Sequence, residues 1–226
     1  KKNSNMVWLT LVSFLLPSVC TSLSFGVLAQ KMKMREVSSL RETMSDSVKS
    51  LLESEDSLPS VDKKIAADFA SKKTLGVVAE YHRNVRRMSI EEYEIPEIGF
   101  VSRETRGAGA GALALNMDAG CSSEDFEKAL EEQKSAENDF PGPLPLVWMD
   151  LIVDEVQLAI ARNAGANAVT AYDSELADLA RNKYGLEVFR VCRPGDLDKL
   201  TDSDDAVVLV GYESLDQALE LRSQIK

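Results

Sequence analysis

The sequence predicts an α/β fold with a parallel sheet, and two observations carry that prediction. Residues 144–171 contain a strand, a helix that ends at Gly165, and a second strand. Two strands joined by a helix within so few residues lie parallel in one sheet, with a right-handed crossover. Similar buried runs recur along the chain and give six predicted strands, centred near Val77, Leu113, Val147, Val169, Val188 and Val208.

The sequence indicates where the helix of this unit begins. The run Leu146 to Val153 is apolar except at Met149-Asp150 and predicts a buried strand. Asp154 follows as a predicted N-cap, and Gln157 stands three residues later, as in a capping box.

Residues 1–25 are predicted to be a signal or targeting segment. Lys1 and Lys2 precede the apolar core Val7 to Leu16, and Asn3 to Gln30 carries no charge. An uncleaved membrane anchor is the alternative, because the apolar stretch is long enough to span a bilayer. We expect the mature chain to have no membrane span.

The residues after this segment favour import into a plastid (chloroplast). Ser24-Phe25 resembles the boundary in the two-part leaders of proteins sent to plastids of secondary endosymbiotic origin, and Lys31 to Lys49 is rich in serine. The secretory pathway and membrane anchoring are the alternatives.

Composition excludes several function classes. The net charge of −11 repels phosphate backbones, so we expect no nucleic-acid partner. Cys20, Cys121 and Cys192 are isolated, and His82 is the only histidine, so the sequence predicts no metal site. We also expect no cofactor.

The run from Val147 to Val169 resembles the signature segment of the indole-3-glycerol phosphate synthase family. That family reads Leu-Arg-Lys-Asp-Phe-Ile-Ile-Asp, then Ala-Gly-Ala-Asp-Ala-Val, where this chain has Val147-Trp-Met-Asp-Leu-Ile-Val-Asp and Ala164-Gly-Ala-Asn-Ala-Val. The resemblance implies a TIM-type (β/α)8 barrel over residues 61–226. Six visible units, where a barrel needs eight, make it incomplete or closed by something outside them.

The resemblance also implies an extra N-terminal helix within residues 26–60. Val27 to Glu42 is similar to the family's first helix, and Leu28, Met32, Val37 and Leu40 form its predicted apolar stripe. Leu51 to Ser60 is predicted to be a loop.

Glu80 and His82 are the candidate catalytic residues, at the end of the first barrel strand. The family reads Val-Ile-Ala-Glu-x-Lys there, so Glu80 matches its glutamate and His82 stands at its lysine. Side chains two apart on a strand point the same way. The family's Ser-Pro-Ser phosphate loop is absent, although Arg83, Arg86 and Arg87 add positive charge. A structural role for His82 is the alternative.

The second unit of the resemblance runs from Glu97 to Asp118. Its glycines, Gly107 to Gly111, precede a strand and follow a helix, so they predict a helix stop rather than a phosphate loop. Ser123 to Ala136 is predicted to be a helix with a solvated acidic face.

The family's proton-transfer positions are replaced. Met149 stands at the general-acid lysine, Arg190 at the general-base glutamate, and Cys192 at a following histidine. A thioether donates no proton, and a guanidinium keeps its own. We therefore expect a degenerate enzyme that serves as a structural or interaction subunit of a plastid complex, with other protein chains as partners. Weak binding of an anionic small molecule at Arg190 is compatible with this. An active synthase with displaced catalytic residues is the alternative.

Overall fold

The computed structural model describes residues 7–9, 23–62, 65–71, 76–81, 83, 96–118, 120–192 and 206–209; for 7–9, 23–27, 70, 192 and 206–209 it describes the backbone alone. The helices are α1 (Leu23–Thr43), α2 (Asp46–Glu53), α3 (Ile65–Ser71), α4 (Ile98–Gly107), α5 (Ser123–Ser135), α6 (Glu155–Asn163) and α7 (Ser174–Asn182). The strands are β1 (Val7–Leu9), β2 (Val78–Tyr81), β3 (Ala112–Asn116), β4 (Leu146–Met149), β5 (Ala168–Ala171), β6 (Glu187–Cys192) and β7 (Ala206–Leu209).

All seven strands lie parallel in one sheet, in the order β1-β7-β6-β5-β4-β3-β2. The predicted parallel α/β fold is confirmed, and the six predicted strands are β2 to β7. From β2 to β7 the spatial order follows the chain. The remaining strand, β1, was not predicted; it lies inside the predicted targeting segment, whose role as a leader stays a prediction.

One face of the sheet, which we call the helical face, packs against α4, α5, α6 and α7. Alternate strand residues supply its core, because side chains of a strand point to opposite sides. The core includes Leu113, Trp148 and Val188 from the strands, with Phe126 and Leu158 from the helices. The burial of these side chains holds the helices onto the sheet.

The opposite face, which we call the α3 face, packs against the short helix α3. Phe69 and Ile65 of this helix meet strand residues that are mostly small, such as Ala112, Ala114 and Ala168. The carboxylate of Glu187 accepts hydrogen bonds from the backbone N–H groups of Ile65 at 2.6 Å and of Ala66 at 2.7 Å. These two donors belong to the free N–H groups of the first helical turn, so Glu187 fixes the beginning of α3.

The local signals around α6 are confirmed. Asp154 and Gln157 form the capping box, and Gly165 has φ 87°. The predicted strand beyond Met149 was wrong: β4 ends there because the next N–H groups turn to side chains. The N–H of Asp150 donates to Thr170 Oγ1 at 3.1 Å, and that of Val153 to Gln157 Oε1 at 2.8 Å.

The predicted loop from Leu51 to Ser60 begins later than expected, because α2 runs to Glu53, and residues 54–60 form the loop. Ser45 caps α2, its side chain accepting from the N–H of Val48, and Val48 is buried in the core of the helical face. An apolar side chain so placed holds a helix that its Ser- and Glu-rich sequence alone does not favour.

Two acidic side chains of α5 contradict the prediction of a wholly solvated face. Asp125 is buried and bonds Arg83, and Glu132 is largely buried against Arg106. Each carboxylate is buried because an arginine neutralises it. Among the described residues, no helix is both long and apolar enough to cross a bilayer.

Candidate functional site

Polar groups collect at the carboxyl ends of β2 and β3, on the α3 face. Asn116 Nδ2 donates to Glu80 Oε1 at 2.8 Å. Both residues stand at the ends of adjacent parallel strands, where functional groups of α/β folds commonly lie. Glu80, a candidate catalytic residue from the family resemblance, is therefore held by an amide from the neighbouring strand, and its catalytic role stays a prediction.

Met149 continues this row on the next strand. It is the partner of Asn116 in the register of β3 and β4, and its side chain packs against the core of the α3 face. Thr170, one strand further, uses its hydroxyl to donate to the carbonyl of Asp150 at 3.0 Å. The row at this edge thus offers a carboxylate, an amide, a thioether and a hydroxyl.

A buried lysine from α1 forms the strongest charged cluster at the same edge. Lys33 Nζ lies 2.6 Å from Asp150 Oδ1, 2.9 Å from Asp118 Oδ1 and 3.1 Å from Glu36 Oε1. Asp118 follows β3, Asp150 follows β4, and Glu36 stands one turn along α1. We call this set of four side chains the Lys33 cage.

The two aspartates of the cage are themselves fixed. Asp118 Oδ2 accepts from the N–H of Leu151, and Asp150 Oδ2 accepts from Gln157 Nε2 at 2.8 Å. Gln157 also accepts, through Oε1, from the N–H groups of Val153 and Asp154. Contacts other than those with Lys33 therefore hold both carboxylates in position, which reduces the entropy lost in ordering the ion pair.

Burial and neighbouring charges shift the pKa values of two members of the cage, Lys33 and Asp150. Burial would lower the pKa of Lys33, but the charges and hydrogen bonds of Asp150 and Asp118 outweigh it and raise it above its ordinary value of 10.5. Burial raises the pKa of Asp150 to about 6, with a further upward push from Asp118 and an opposing pull from Lys33. Lys33 and Asp150 are thus both charged at neutral pH.

The arginines and the histidine that the sequence places near Glu80 are not shown beside it. His82, Arg86 and Arg87 lie outside the described residues. Arg83 Nε donates to Asp125 Oδ2 at 3.0 Å, so this arginine contacts the first turn of α5.

Arg190 lies apart from the polar row on the α3 face. It lies on the helical face, since Val188, two residues earlier, belongs to that core, and it donates to Ser174 Oγ at 3.3 Å. Strand alternation turns its side chain away from the α3 face, and its correspondence to the family's general base stays a prediction.

Sequence reasoning missed Lys33, and it misplaced the apolar stripe of α1. Leu28 and Met32, predicted to be on that stripe, are 51% and 63% exposed, whereas Lys33 is 6% exposed. The available signal was a lysine four residues before Val37, which is buried. A lysine on an apolar stripe requires paired carboxylates, and those come from remote parts of the chain.

Comparison with known proteins adds no relative. A scan against profiles of known protein families gives no match, and a search of curated protein sequences gives none either.

Proposed function

We propose that this chain is a barrel of the indole-3-glycerol phosphate synthase type that does not turn over the synthase substrate and serves as a structural or interaction subunit. The observation that carries the proposal is Met149. Its side chain lies on the α3 face beside the strand that bears Asn116, at the position where the resemblance requires a proton-donating lysine.

The order of the strands supports a barrel. From β2 to β7 each strand lies beside its predecessor, and α4 to α7 pack on one face. A doubly wound sheet instead reverses its order and places helices on both faces. Strands β2 to β7 in chain order, with α4 to α7 on one side, curl in the sense that a barrel needs, and the α3 face, covered by the short helix α3, would be its interior.

The chemistry at the carboxyl edge supports loss of turnover. The family reaction closes an indole ring with loss of carbon dioxide and water, and it needs a general acid and a general base. Met149 has no proton to give. Glu80 is kept, but the Asn116 amide engages one of its oxygens. General acid–base groups each contribute typically ~100- to 10,000-fold to the rate, so losing the acid removes most turnover.

A second candidate is an active synthase in which Lys33 replaces the missing acid. The observation in its favour is that the Lys33 ammonium bonds Asp150, the residue directly after Met149. The charges around it count against this role. A general acid works best with a pKa near the working pH, whereas the pKa of Lys33 lies above even that of free lysine.

Exposed apolar side chains support a role in an assembly. Phe140, in the loop before β4, is 99% exposed, and Leu28 and Met32 project from α1. Exposed apolar surface of this kind is typical of contacts with other protein chains. Residence in a plastid, as the Ser24-Phe25 boundary suggests, would make the partner a plastid protein.

The test is complementation of a tryptophan-requiring bacterial strain that lacks its own synthase domain. We expect no growth from the wild-type chain, expressed without residues 1–22 or in full, with circular dichroism of the purified protein showing that it is folded. Growth that is abolished by Lys33→Met and kept by Lys31→Met, an exposed matched control, would overturn the proposal in favour of the displaced acid. Growth gained with Met149→Lys would locate the loss at that position.

A further inference from the structure

For residues 28–43 of α1, whose side chains the structure describes, the attachment to the rest of the protein is mainly ionic. Lys33 bonds Asp118 and Asp150 at the ends of β3 and β4, and eight residues later Arg41 Nη2 lies 2.7 Å from Asp154 Oδ1, at the N-cap of α6. The two cations stand on the same side of the helix, since eight residues are a little more than two turns. They fasten α1 at two points to carboxylates of the sheet's carboxyl edge.

The apolar part of this attachment is small. Among the described side chains of α1, residues 28–43, Val37 is the one buried apolar side chain, at 2% exposed. Leu28, Met32 and Met34 are exposed. A helix usually gains its stability in a protein from a continuous apolar face, so residues 28–43 of α1 depend mainly on Lys33, with the more exposed pair of Arg41 and Asp154 as a weaker second contact.

The next helix is fixed far more firmly. Val48 of α2 is buried in the core of the helical face, and Lys183 Nζ donates to the carbonyl of Leu52 at 2.9 Å. Only Met44 and Ser45 separate the end of α1 from the beginning of α2. A short link between a firmly held helix and a loosely held one is where a hinge is expected.

We propose that α1 is a strap across the carboxyl ends of β3 and β4, latched by Lys33, and that it opens as a unit about Met44 and Ser45 while the sheet stays folded. In the closed state the Lys33 ammonium fills the space between Asp118 and Asp150. In the open state Asp150, which is 6% exposed in the closed state, faces solvent beside the already exposed Asp118, and the strap therefore controls access to Asp150. The proposal does not depend on whether the chain catalyses a reaction.

Native-state hydrogen exchange of the full chain, followed segment by segment, tests this. In the wild type, the amides of residues 28–43 are expected to exchange at least ~10-fold faster than those of β3 and β4, because opening of the strap is cheaper than global unfolding. Lys33→Met leaves the buried carboxylate of Asp150 without its cation, beside the exposed carboxylate of Asp118, and is expected to accelerate exchange in α1 at least ~100-fold. Exchange in β3, β4 and α6 beyond its first turn should change much less.

Two further variants keep the test decisive if Lys33→Met fails to fold. Asp118→Asn removes the more exposed of the two aspartates of the cage and should accelerate α1 alone, by ~3- to 30-fold, with Lys31→Met and Asp56→Asn as exposed controls that change nothing. Arg41→Met should accelerate α1 by no more than ~5-fold, as for an exposed ion pair. Exchange of α1 at the rate of the core strands in the wild type, or equal acceleration of α1 and the core in the variants, would overturn the strap.

Discussion

Lys33 Nζ and Asp150 Oδ1 lie 2.6 Å apart, and each side chain is 6% exposed. Two opposite charges so placed compensate each other's loss of water, and each depends on the other. The compensation is incomplete for Asp150, whose pKa stays raised to about 6 by burial and by the neighbouring charge of Asp118.

This raised pKa predicts a definite dependence of stability on pH. Folding disfavours the ionised form of Asp150, so the unfolded chain releases this proton first as the pH rises from about 4 to about 6. The contribution of Asp150 to the free energy of unfolding should therefore fall over that range, by roughly 3 kcal/mol, and stay constant above it.

The measurement is urea unfolding at several pH values from 4 to 7, comparing the wild type with Asp150→Asn. The stability of the wild type minus that of the variant should decrease with rising pH between 4 and 6. Asp56→Asn, in an exposed loop, serves as the control and should give a flat difference. A wild-type advantage that grows with pH over this range would contradict the assignment.

A second prediction concerns the carboxylate that begins α3. Glu187 is 4% exposed and accepts from two backbone N–H groups, of Ile65 and Ala66. Glu187→Gln keeps the shape but turns an NH2 group toward one of these donors and removes the charge. We expect a loss of about 1–3 kcal/mol in the free energy of unfolding, as for a charge-assisted hydrogen bond.

Urea denaturation measures that loss, with Glu55→Gln as an exposed control that should be neutral. If the two variants were equally stable, the carboxylate of Glu187 would not be what holds α3.

The parts of the fold that the sequence predicted are those with local signals. The strands are short apolar runs, and the beginning of α6 is set by Asp154 and Gln157, three residues apart. The parallel sheet follows from these because a helix between two adjacent strands leaves few arrangements. Glu80 was named from the family resemblance, and the structure places it at the end of β2.

The Lys33 cage could not be predicted, because its contacts are not local. Leu28 and Met32 are apolar and stand one turn apart, whereas the buried side carries the charged Lys33 beside Val37, so the apolar pattern pointed to the wrong side. Burial of Lys33 depends on carboxylates that the chain supplies 85 residues later, at Asp118, and beyond. Pairing of this kind becomes visible only when the strands are in place.

A third prediction contrasts two neighbouring glutamates of α5. Glu132 Oε1 accepts from Arg106 Nη2 at 2.9 Å, and Oε2 accepts from Ser102 Oγ at 2.7 Å. Glu132→Gln leaves the guanidinium of Arg106, itself 8% exposed, without its counter-charge. We expect a loss of roughly 3 kcal/mol, the low end for breaking a buried ion pair.

Glu131→Gln is the matched control, because Glu131 is exposed on the same helix. Its free energy of unfolding should differ from the wild type by less than about 0.5 kcal/mol. Similar losses in both variants, measured by chemical denaturation, would mean that Glu132 contributes no more to stability than the exposed Glu131. The acidic residues of α5 would then behave as a solvated face, as the sequence alone predicted.

The last prediction concerns the contact between α3 and the beginning of β3. Gly111 precedes β3, and a Cβ atom added there would lie 2.1 Å from Cε1 of Phe69. The ring packs against the α3 face among small residues, so it has little room to retreat. Gly111→Ala is therefore expected to destabilise the protein by about 1–3 kcal/mol, the usual cost of overpacking a core.

Gly107→Ala is the control, since a Cβ atom at Gly107 would meet nothing within 4 Å and alanine favours the helix that contains it. The cause is tested by a double-mutant cycle with Phe69→Leu. If the ring is the obstacle, Gly111→Ala should cost at least about 1 kcal/mol less in the Phe69→Leu background than in the wild type, because the two side chains are in contact. Strictly additive losses would instead mean that Gly111 is needed for its own backbone conformation and that Phe69 does not set the spacing between α3 and the sheet.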